Sequence, residues 1–254
     1  LSIFNCVWYI LVSLKTINMK YSIIIPIYKE KKNLPKLTKI LSQKLNSYKR
    51  KYEIIFVDDD SRDGSAEIYK KIKTNKTKFY TRIKKPRDLS MSVVYGFSKA
   101  KYNNIAVMDG DLQHRPSDLL KLMKIFEKNK YEIVIGSRKL DSFTNTNLNP
   151  LRFYMSKFLN LITNLIFGKK LIDPMSGFFV IRKDVFLKSK KNLFLKGYKI
   201  LLDIILSSPN KIKFKEIYIK FKSREKGFSK MRFKILFQLF LFLIFKFLSK
   251  KTQY

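Results

Sequence analysis

Histidine, cysteine and acid are what this chain is short of. Among 254 residues there is one cysteine, Cys6, one histidine, His114, and one tryptophan, while 54 Lys and Arg stand against 19 Asp and Glu. One cysteine rules out an internal disulfide framework and leaves the redox compartment undetermined. One histidine argues against a Ser-His-Asp arrangement and against a metal site built on several imidazoles. A metal in this chain is therefore held mainly by oxygen, which favours magnesium or manganese. No G-x-G-x-x-G follows the first apolar run, which disfavours a nicotinamide dehydrogenase.

The shortage of acid leaves a formal net charge of +35 and a sequence pI near 10.1. Such a charge suggests an anionic partner, and a membrane surface suits it, because each nearby basic residue contributes roughly 1 kcal/mol on an anionic leaflet. Abundant Lys, Ile, Asn, Phe and Tyr are also what AT-rich coding DNA produces, so charge alone identifies nothing. No RNA-binding or helix-turn-helix signature accompanies it, and nucleic acid is not an expected partner. With 46% hydrophobic residues the chain can bury a full core, and one domain plus an appendage is expected. The chain opens with Leu, and "MKYSIIIPIYKE" at Met19 reads as a natural start, so residues 1–18 are expected to be a mis-set start or a flexible leader. A signal peptide is the competing reading, though "LSIFNCVWYILVSL" has no basic n-region and no small-residue cleavage site.

What is present is alternation. "YSIIIPIY" (Tyr21 to Tyr28) and "YEIIFVDDD" (Tyr52 to Asp60) read as buried parallel strands, and Leu34, Leu37, Ile40, Leu41 and Leu45 between them fall at helical spacing. A helix is expected over Gly64 to Lys73, a strand near Lys78 to Ile83, a helix over Ser90 to Ala100 and a strand over Asn104 to Met108. A helix over Pro116 to Lys128 and a strand over Tyr131 to Gly136 follow. The order implies a mostly parallel α/β sheet with ligands at the carboxyl ends of its strands, where Asp58, Asp59, Asp109 and Asp111 fall.

The second half reads differently. Residues 151–170, "LRFYMSKFLNLITNLIFGKK", form an amphipathic helix whose apolar face is broad enough either to dip into a lipid interface or to serve as a core helix. "ILFQLFLFLIFKFL" (Ile235 to Leu248) spans roughly 21 Å as a helix. A hydrocarbon core needs about 30 Å, so this stretch is expected to lie in the interface.

"VMDGDLQH" sets Asp109 and Asp111 one residue apart after an apolar run, where repulsion and desolvation both oppose them. A hard divalent cation removes that repulsion and can bridge the oxygens of a diphosphate, with Gln113 adding a neutral oxygen ligand. The bland alternative is a solvated acidic turn. In "VDDDSRDGS" a carboxylate can accept hydrogen bonds from a nucleobase or ribose, or can cap the helix near Gly64. Arg138 in "GSRK" can grip a phosphate, or can be a surface arginine.

Taken in order, "SIIIPIYKEKKNL", "VDDDSRDGS", "RDLSMSVVYGF", "MDGDLQHRP", "GSR", "DPMSGFFVIRKDV", "GYKILLDIIL" and "REKGFSK" resemble family 2 glycosyltransferases. Within that family the chain looks most like the dolichol- or polyprenyl-phosphate mannosyltransferases of the prokaryotic type. The resemblance implies a GT-A-like nucleotide-binding fold over residues 19–230, with residues 231–254 as a C-terminal membrane-associated helix. It further implies that Pro26, Tyr28, Glu30, Val57 and Asp59 surround the nucleotide base and ribose. Asp109, Asp111 and Gln113 match the Mg2+ or Mn2+ ligands, with Gly110 contributing backbone. Arg138 matches a phosphate-binding arginine, Arg152 and Ser156 match positions near the lipid phosphate, and Arg224 and Lys230 match a loop over the donor and acceptor phosphates. Asp173 opens a segment expected to shape the sugar and acceptor region.

Two positions depart from the family pattern: Gly110 stands where Ala is commoner, and Arg115 where a second Pro is common. His114 fits the pattern and reads as structural or as a support behind the metal ligands.

The implied reaction is inverting transfer of mannose from GDP-mannose to a polyprenyl phosphate at the cytoplasmic face of a membrane, by a peripheral or monotopic protein. Charge on the departing GDP is stabilised by the cation bound at Asp111 and by Arg138 and Arg224. The same chemistry with UDP-glucose or another donor is the near alternative. A non-catalytic basic membrane-binding protein is the distant one.

Overall fold

The computed structural model describes residues 19–83, 86–128, 130–137, 161, 171–195, 197, 200–219, 241–242 and 244–246. Strand β1 (Lys20–Ile27), helix α1 (Leu34–Ser47), β2 (Lys51–Asp58), α2 (Ser65–Ile72), β3 (Thr77–Thr81), α3 (Leu89–Lys99), β4 (Asn104–Val107), α4 (Pro116–Phe126) and β5 (Ile133–Ser137) follow in turn. Then come β6 (Phe179–Arg182), α5 (Lys183–Ser189), a short 3-10 turn (Lys190–Asn192), α6 (Ile200–Ser207) and β7 (Phe214–Tyr218). These strands make one sheet in the order β3-β2-β1-β4-β6-β5-β7.

The apolar runs explain the centre of the sheet. All but the first residue of β1 and of β2 are buried, as strands covered on both faces require. Alternation then sorts the side chains into two layers. Ile23, Ile25 and Ile27 pack with Leu34, Leu37 and Leu41 of α1 and Leu119, Leu122 and Met123 of α4. Ile24 points the other way and packs with Val93 and Phe97 of α3 and Leu201 and Ile205 of α6. Each fully buried Leu or Ile contributes roughly 1.5–3 kcal/mol, so the two layers supply most of what holds the sheet.

The elements expected from Tyr21 to Gly136 are all found, with ends shifted by a few residues. What alternation does not foretell is β6, which runs antiparallel to both of its neighbours, β4 and β5. Its register sets Val107 opposite Phe179, so the residues just beyond the end of β4 meet those just before β6.

The expected interface helix over residues 151–170 lies outside the described residues except for exposed Leu161. Residues 1–18 also lie outside them. No helix among the described residues is long and apolar enough to cross a membrane. Part of the last apolar stretch is described, and it is helical at residues 241–242 and 244–246. Its Phe242 is 1% exposed and packs against Phe194, whereas Leu241, Ile244 and Phe245 are 41%, 39% and 43% exposed.

One turn after Phe242, the buried Lys246 Nζ lies 2.7 Å from Asp203 Oδ1 and donates to Ser207 Oγ and Asn192 O. Asp203 Oδ2 accepts the backbone N–H groups of Phe194 and Leu195 at 2.8 and 3.0 Å. Burial lowers the Lys246 pKa from its usual value, and the Asp203 carboxylate opposes that shift. Removing one member of a buried ion pair strands the other. Asp203→Ala is therefore expected to lower the unfolding free energy in urea titrations by about 3–5 kcal/mol. Lys246→Met, which leaves Asp203 its two backbone donors, should cost clearly less.

Candidate active site

Adjacent strands end at one level, and that level collects the acidic residues. Pro26 pairs with Val57 and Ile27 with Asp58 across β1 and β2, while Ile24 pairs with Val107 across β1 and β4. Asp59 and Asp109 therefore emerge at the same end of the sheet on either side of β1, and Asp59 N still donates to Ile27 O at 3.1 Å. The turns leaving these strands hold Lys29, Asp60, Arg62 and Leu112 at positive φ. Left-handed backbone at residues other than glycine costs about 1 kcal/mol or more each, and such residues cluster where a ligand is held.

On the β4 side the chain turns tightly through Asp109, Gly110, Asp111, Leu112 and Gln113. Asp111 Oδ1 accepts the N–H of Gln113 at 3.1 Å, which closes the turn on itself. His114 is buried, and its ring stacks on Phe178 with centroids 4.5 Å apart. Its Nδ1 accepts the N–H of Asp109 at 3.2 Å, and its Nε2 lies 3.9 Å from Asp109 Oδ2. His114 thus braces the acidic turn.

The Asp109 side chain is 33% exposed. Beneath it is Gly177, where a Cβ would stand 3.1 Å from Asp109 Oδ1 and 3.3 Å from Oδ2. Gly110 is equally confined: a Cβ there would meet Ile27 Cγ2 at 2.7 Å, so the glycine suits this packing and an alanine would require Ile27 to shift. Arg115 is exposed and leads into α4.

On the β2 side each carboxylate has its own fastening. Asp58 is buried and accepts from both the N–H and the hydroxyl of Ser61, whose Oγ also accepts the N–H of Lys29 at 2.9 Å. Burial pushes the Asp58 pKa up, against the pull of the Ser61 hydrogen bonds. Asp63 takes the N–H groups of Lys31 and Ser65, while the N-cap of α2 is Gly64, at positive φ and without a side-chain capping bond.

Asp59 is 6% exposed and is ion-paired through Oδ1 to the guanidinium of Arg82, itself 6% exposed. Its Oδ2 accepts the N–H of Asp88 at 2.7 Å. Asp88 caps α3 by accepting the Met91 N–H at 3.1 Å and also holds Gly197 N–H. Burial raises the Asp88 pKa, with the backbone donors of Gly197, Met91 and Ser90 opposing.

Tyr28 is half-buried, with the Arg87 guanidinium 4.7 Å and the Lys29 ammonium 5.6 Å from its ring centroid. Glu30 accepts from Asn33 Nδ2 at 2.7 Å. Val57 has no accessible surface and belongs to the core.

The structure thus brings Pro26, Tyr28, Glu30, Val57, Asp59, Asp109, Gly110, Asp111 and Gln113 to one end of the sheet. Arg138, Arg152, Ser156, Arg224 and Lys230 lie outside the described residues. Arg82, Asp88 and Glu216 were not expected at the site from the sequence. Asp88 carried a signal, an acid directly before a helical run, whereas Arg82 and Glu216 sit in or beside short strands with nothing local to mark them. Asp173 is buried, and its N–H donates to Glu216 Oε1 at 3.1 Å. On the β4 side Asp109, Asp111 and Gln113 supply oxygen from one turn, and on the β2 side the Tyr28 ring lies beside Arg87 and Lys29. Carboxylate and amide oxygens of this kind are the ligands a hard divalent cation takes.

A family model described as glycosyl transferase family 2 matches residues 22–189. Over 222 residues the chain is 34% identical to a dolichol-phosphate mannosyltransferase of Pyrococcus furiosus, a match covering 87% of this chain and 61% of that protein. The chain therefore spans about three-fifths of that relative's length. Its counterparts in Mycosarcoma maydis and Saccharomyces cerevisiae, named likewise, are 32% and 29% identical, covering 85% and 87% of this chain and 75% and 84% of theirs. Among solved structures, a glucosyl-3-phosphoglycerate synthase from Mycobacterium tuberculosis superposes with a TM-score of 0.69 at 11% identity, covering 94% of this chain and 81% of that one. A mannosyl-3-phosphoglycerate synthase from Rubrobacter xylanophilus gives 0.67 at 13% identity, covering 92% and 74%. At such identities the two solved structures speak for the fold alone.

The Arg82–Asp59 pair yields a direct expectation. Arg82→Met leaves a buried carboxylate without its cation, and a stability loss of about 3–5 kcal/mol is expected in denaturant titrations. Arg82→Lys keeps the charge without the fork that also reaches Ser92 Oγ and Asp88 O and should recover only part of it.

Proposed function

The chain belongs to glycosyl transferase family 2 and has a GT-A-like α/β fold, and from that premise we propose that it transfers mannose from GDP-mannose to a polyprenyl phosphate with inversion at the anomeric carbon. Foremost in support is the run of similarity to proteins named dolichol-phosphate mannosyltransferase across 87% of this chain. Residues 19–230 then form the catalytic domain. Residues 151–170 and the exposed side of the last apolar stretch, with Leu241, Ile244 and Phe245, then meet the lipid that carries the acceptor, at the cytoplasmic face of the membrane.

Among the described residues no group of three or more His, Cys, Asp or Glu is placed to hold a metal ion, so a divalent cation at the end of β4 would rest on two carboxylates and an amide. Asp109, Asp111 and Gln113 offer hard oxygen ligands from one turn, which suits Mg2+ or Mn2+ and leaves coordination positions for phosphate oxygens. The missing Cβ of Gly177 leaves the Asp109 carboxylate room to turn toward such an ion. A solved glucosyl-3-phosphoglycerate synthase of this fold holds Mn2+ with uridine diphosphate, which supports a cation in general terms. When bound, the cation supplies charge neutralisation for the pyrophosphate that departs.

The chain's own groups do the rest. Asp59, fixed by Arg82 and Asp88, and Tyr28, with its ring under Arg87 and Lys29, bound the nucleoside side. Arg138 and Arg224 pair with the donor and acceptor phosphates and stabilise the charge that develops on GDP. The acceptor phosphate oxygen attacks the anomeric carbon as the bond from that carbon to the GDP oxygen breaks on the opposite face. That nucleophile is already ionised at neutral pH, so no general base is required, in keeping with a chain that has one histidine. Rate then rests on positioning and on charge stabilisation.

A donor panel with the full chain, polyprenyl phosphate, detergent and Mn2+ tests this reading. Mannosyl lipid should form from GDP-mannose. Turnover with UDP-glucose alone would replace the mannosyl assignment, and binding to anionic vesicles without turnover on any donor would favour a non-catalytic role. Asp111→Ala should lower turnover at least about 100-fold, the upper end of what losing even an outer partner of a metal ligand costs, while vesicle binding persists.

A further inference from the structure

One carboxylate near the site takes no part in the mechanism above. Glu216 stands on β7, the edge strand paired with β5, where Ile135 faces it across the ladder. Lysines at 211, 213 and 215 precede it in sequence. Yet its carboxylate turns inward to three neutral donors. Oε1 accepts the Ser137 hydroxyl at 2.6 Å and the Asp173 N–H at 3.1 Å, and Oε2 accepts the Ile172 N–H at 2.8 Å. An ionised acceptor makes each of these bonds stronger than a neutral one would.

The segment so held leads directly to the acidic turn. Asp173 O accepts the N–H of Ser176 at 3.1 Å, and Ser176 Oγ donates to Gly136 O at 2.6 Å. Gly136 N in turn donates to Phe178 O at 2.8 Å. The stretch from Ile172 to Phe178 is therefore fastened at its start to β7 by Glu216, which also holds Ser137 of β5, and at its end to β5 by Ser176 and Gly136. Its last two residues border Asp109, one directly and one through His114: Gly177 lies against the Asp109 carboxylate, and Phe178 stacks on the His114 that accepts the Asp109 N–H. If Glu216 is lost, two backbone N–H groups and a hydroxyl lose this carboxylate as an acceptor, and the floor beneath Asp109 loses a fastening at its start.

We propose that Glu216 is a positioning residue for the Asp109–Asp111 cation site, acting from β7 through the 172–177 turn to set where the Asp109 carboxylate sits. The proposal rests on the reading of Asp109 and Asp111 as cation ligands. A purely structural brace would alter stability and leave cation affinity alone. Partners that orient a metal ligand from behind typically change affinity by about 10–100-fold when removed.

The test is Mn2+ binding by the full chain in the presence of GDP, followed from the electron paramagnetic resonance signal of free Mn2+ well below the unfolding temperature. Wild type is compared with Glu216→Ala, Glu216→Gln and Gly177→Ala. Glu216→Ala should bind Mn2+ about tenfold more weakly or worse. Glu216→Gln keeps one carbonyl acceptor for Ser137 and Asp173 but turns an amide N–H toward Ile172 N, and should fall between Ala and wild type. Gly177→Ala, which crowds the same carboxylate from the turn itself, should weaken binding in the same way.

Should Glu216→Ala fail to fold, the Gln and Gly177→Ala variants carry the comparison. Mn2+ affinities within twofold of wild type in the folded variants overturn the positioning role while leaving the cation reading intact. Wild type that binds no Mn2+ with GDP overturns the cation reading, and the positioning role with it.

Discussion

The antiparallel pairing of β6 with β4 decides which part of a distant sequence meets the acidic turn. Because Val107 faces Phe179, continuing the ladder past the strand ends brings the 177–178 stretch beside Asp109. Two carboxylates next to each other at the end of a buried strand are costly unless their surroundings are fixed. Here the fixing comes from both directions: His114 holds the turn from its own segment, and Gly177 and Phe178 hold it from the next strand. A parallel strand in that place would send its leading residues to the opposite end of the sheet, and the acidic turn would lack this support.

The opposite flank depends on a different kind of restraint. Asp59 and Arg82 are both nearly buried, and an ion pair taken out of water gains little net stability unless its remaining valences are satisfied. They are satisfied here, by Asp88 N–H on one side and by Ser92 Oγ and Asp88 O on the other. The arrangement locks the end of β2, the end of β3 and the start of α3 into one unit. Gly197, bound to Asp88, brings the loop before α6 into that unit as well. A corner held in this way keeps its polar groups in one geometry.

How much of this could be read in advance varies with the range of the interaction. The strands from β1 to β5 and the helices between them announced themselves, because runs such as "SIIIPI" and the leucine spacing of α1 encode burial locally. Asp59, Asp109 and Asp111 were legible because each follows such a run. β6 and β7 were not read as strands: "FVIR" and "FKEIY" are four and five residues long, and β7 carries lysine and glutamate on an edge where burial is incomplete. Arg82 and Glu216 acquire meaning only from partners tens of residues away, and no spacing rule predicts such pairs. His114, read from sequence as structural or as a support behind the metal ligands, stands where it stacks on Phe178, a contact that local pattern could not supply.

The last described helix, at residues 241–242 and 244–246, is fixed about its own axis. Phe242 and Lys246 stand one turn apart and both face inward, the second ending on Asp203. Spinning the helix about its long axis would drag an ammonium out of its acceptor cage and set it among Leu241, Ile244 and Phe245. The azimuth of the greasy stripe is thereby keyed to the sheet, much as a keel is set by its hull, and any bilayer meeting that stripe meets the protein in a single attitude.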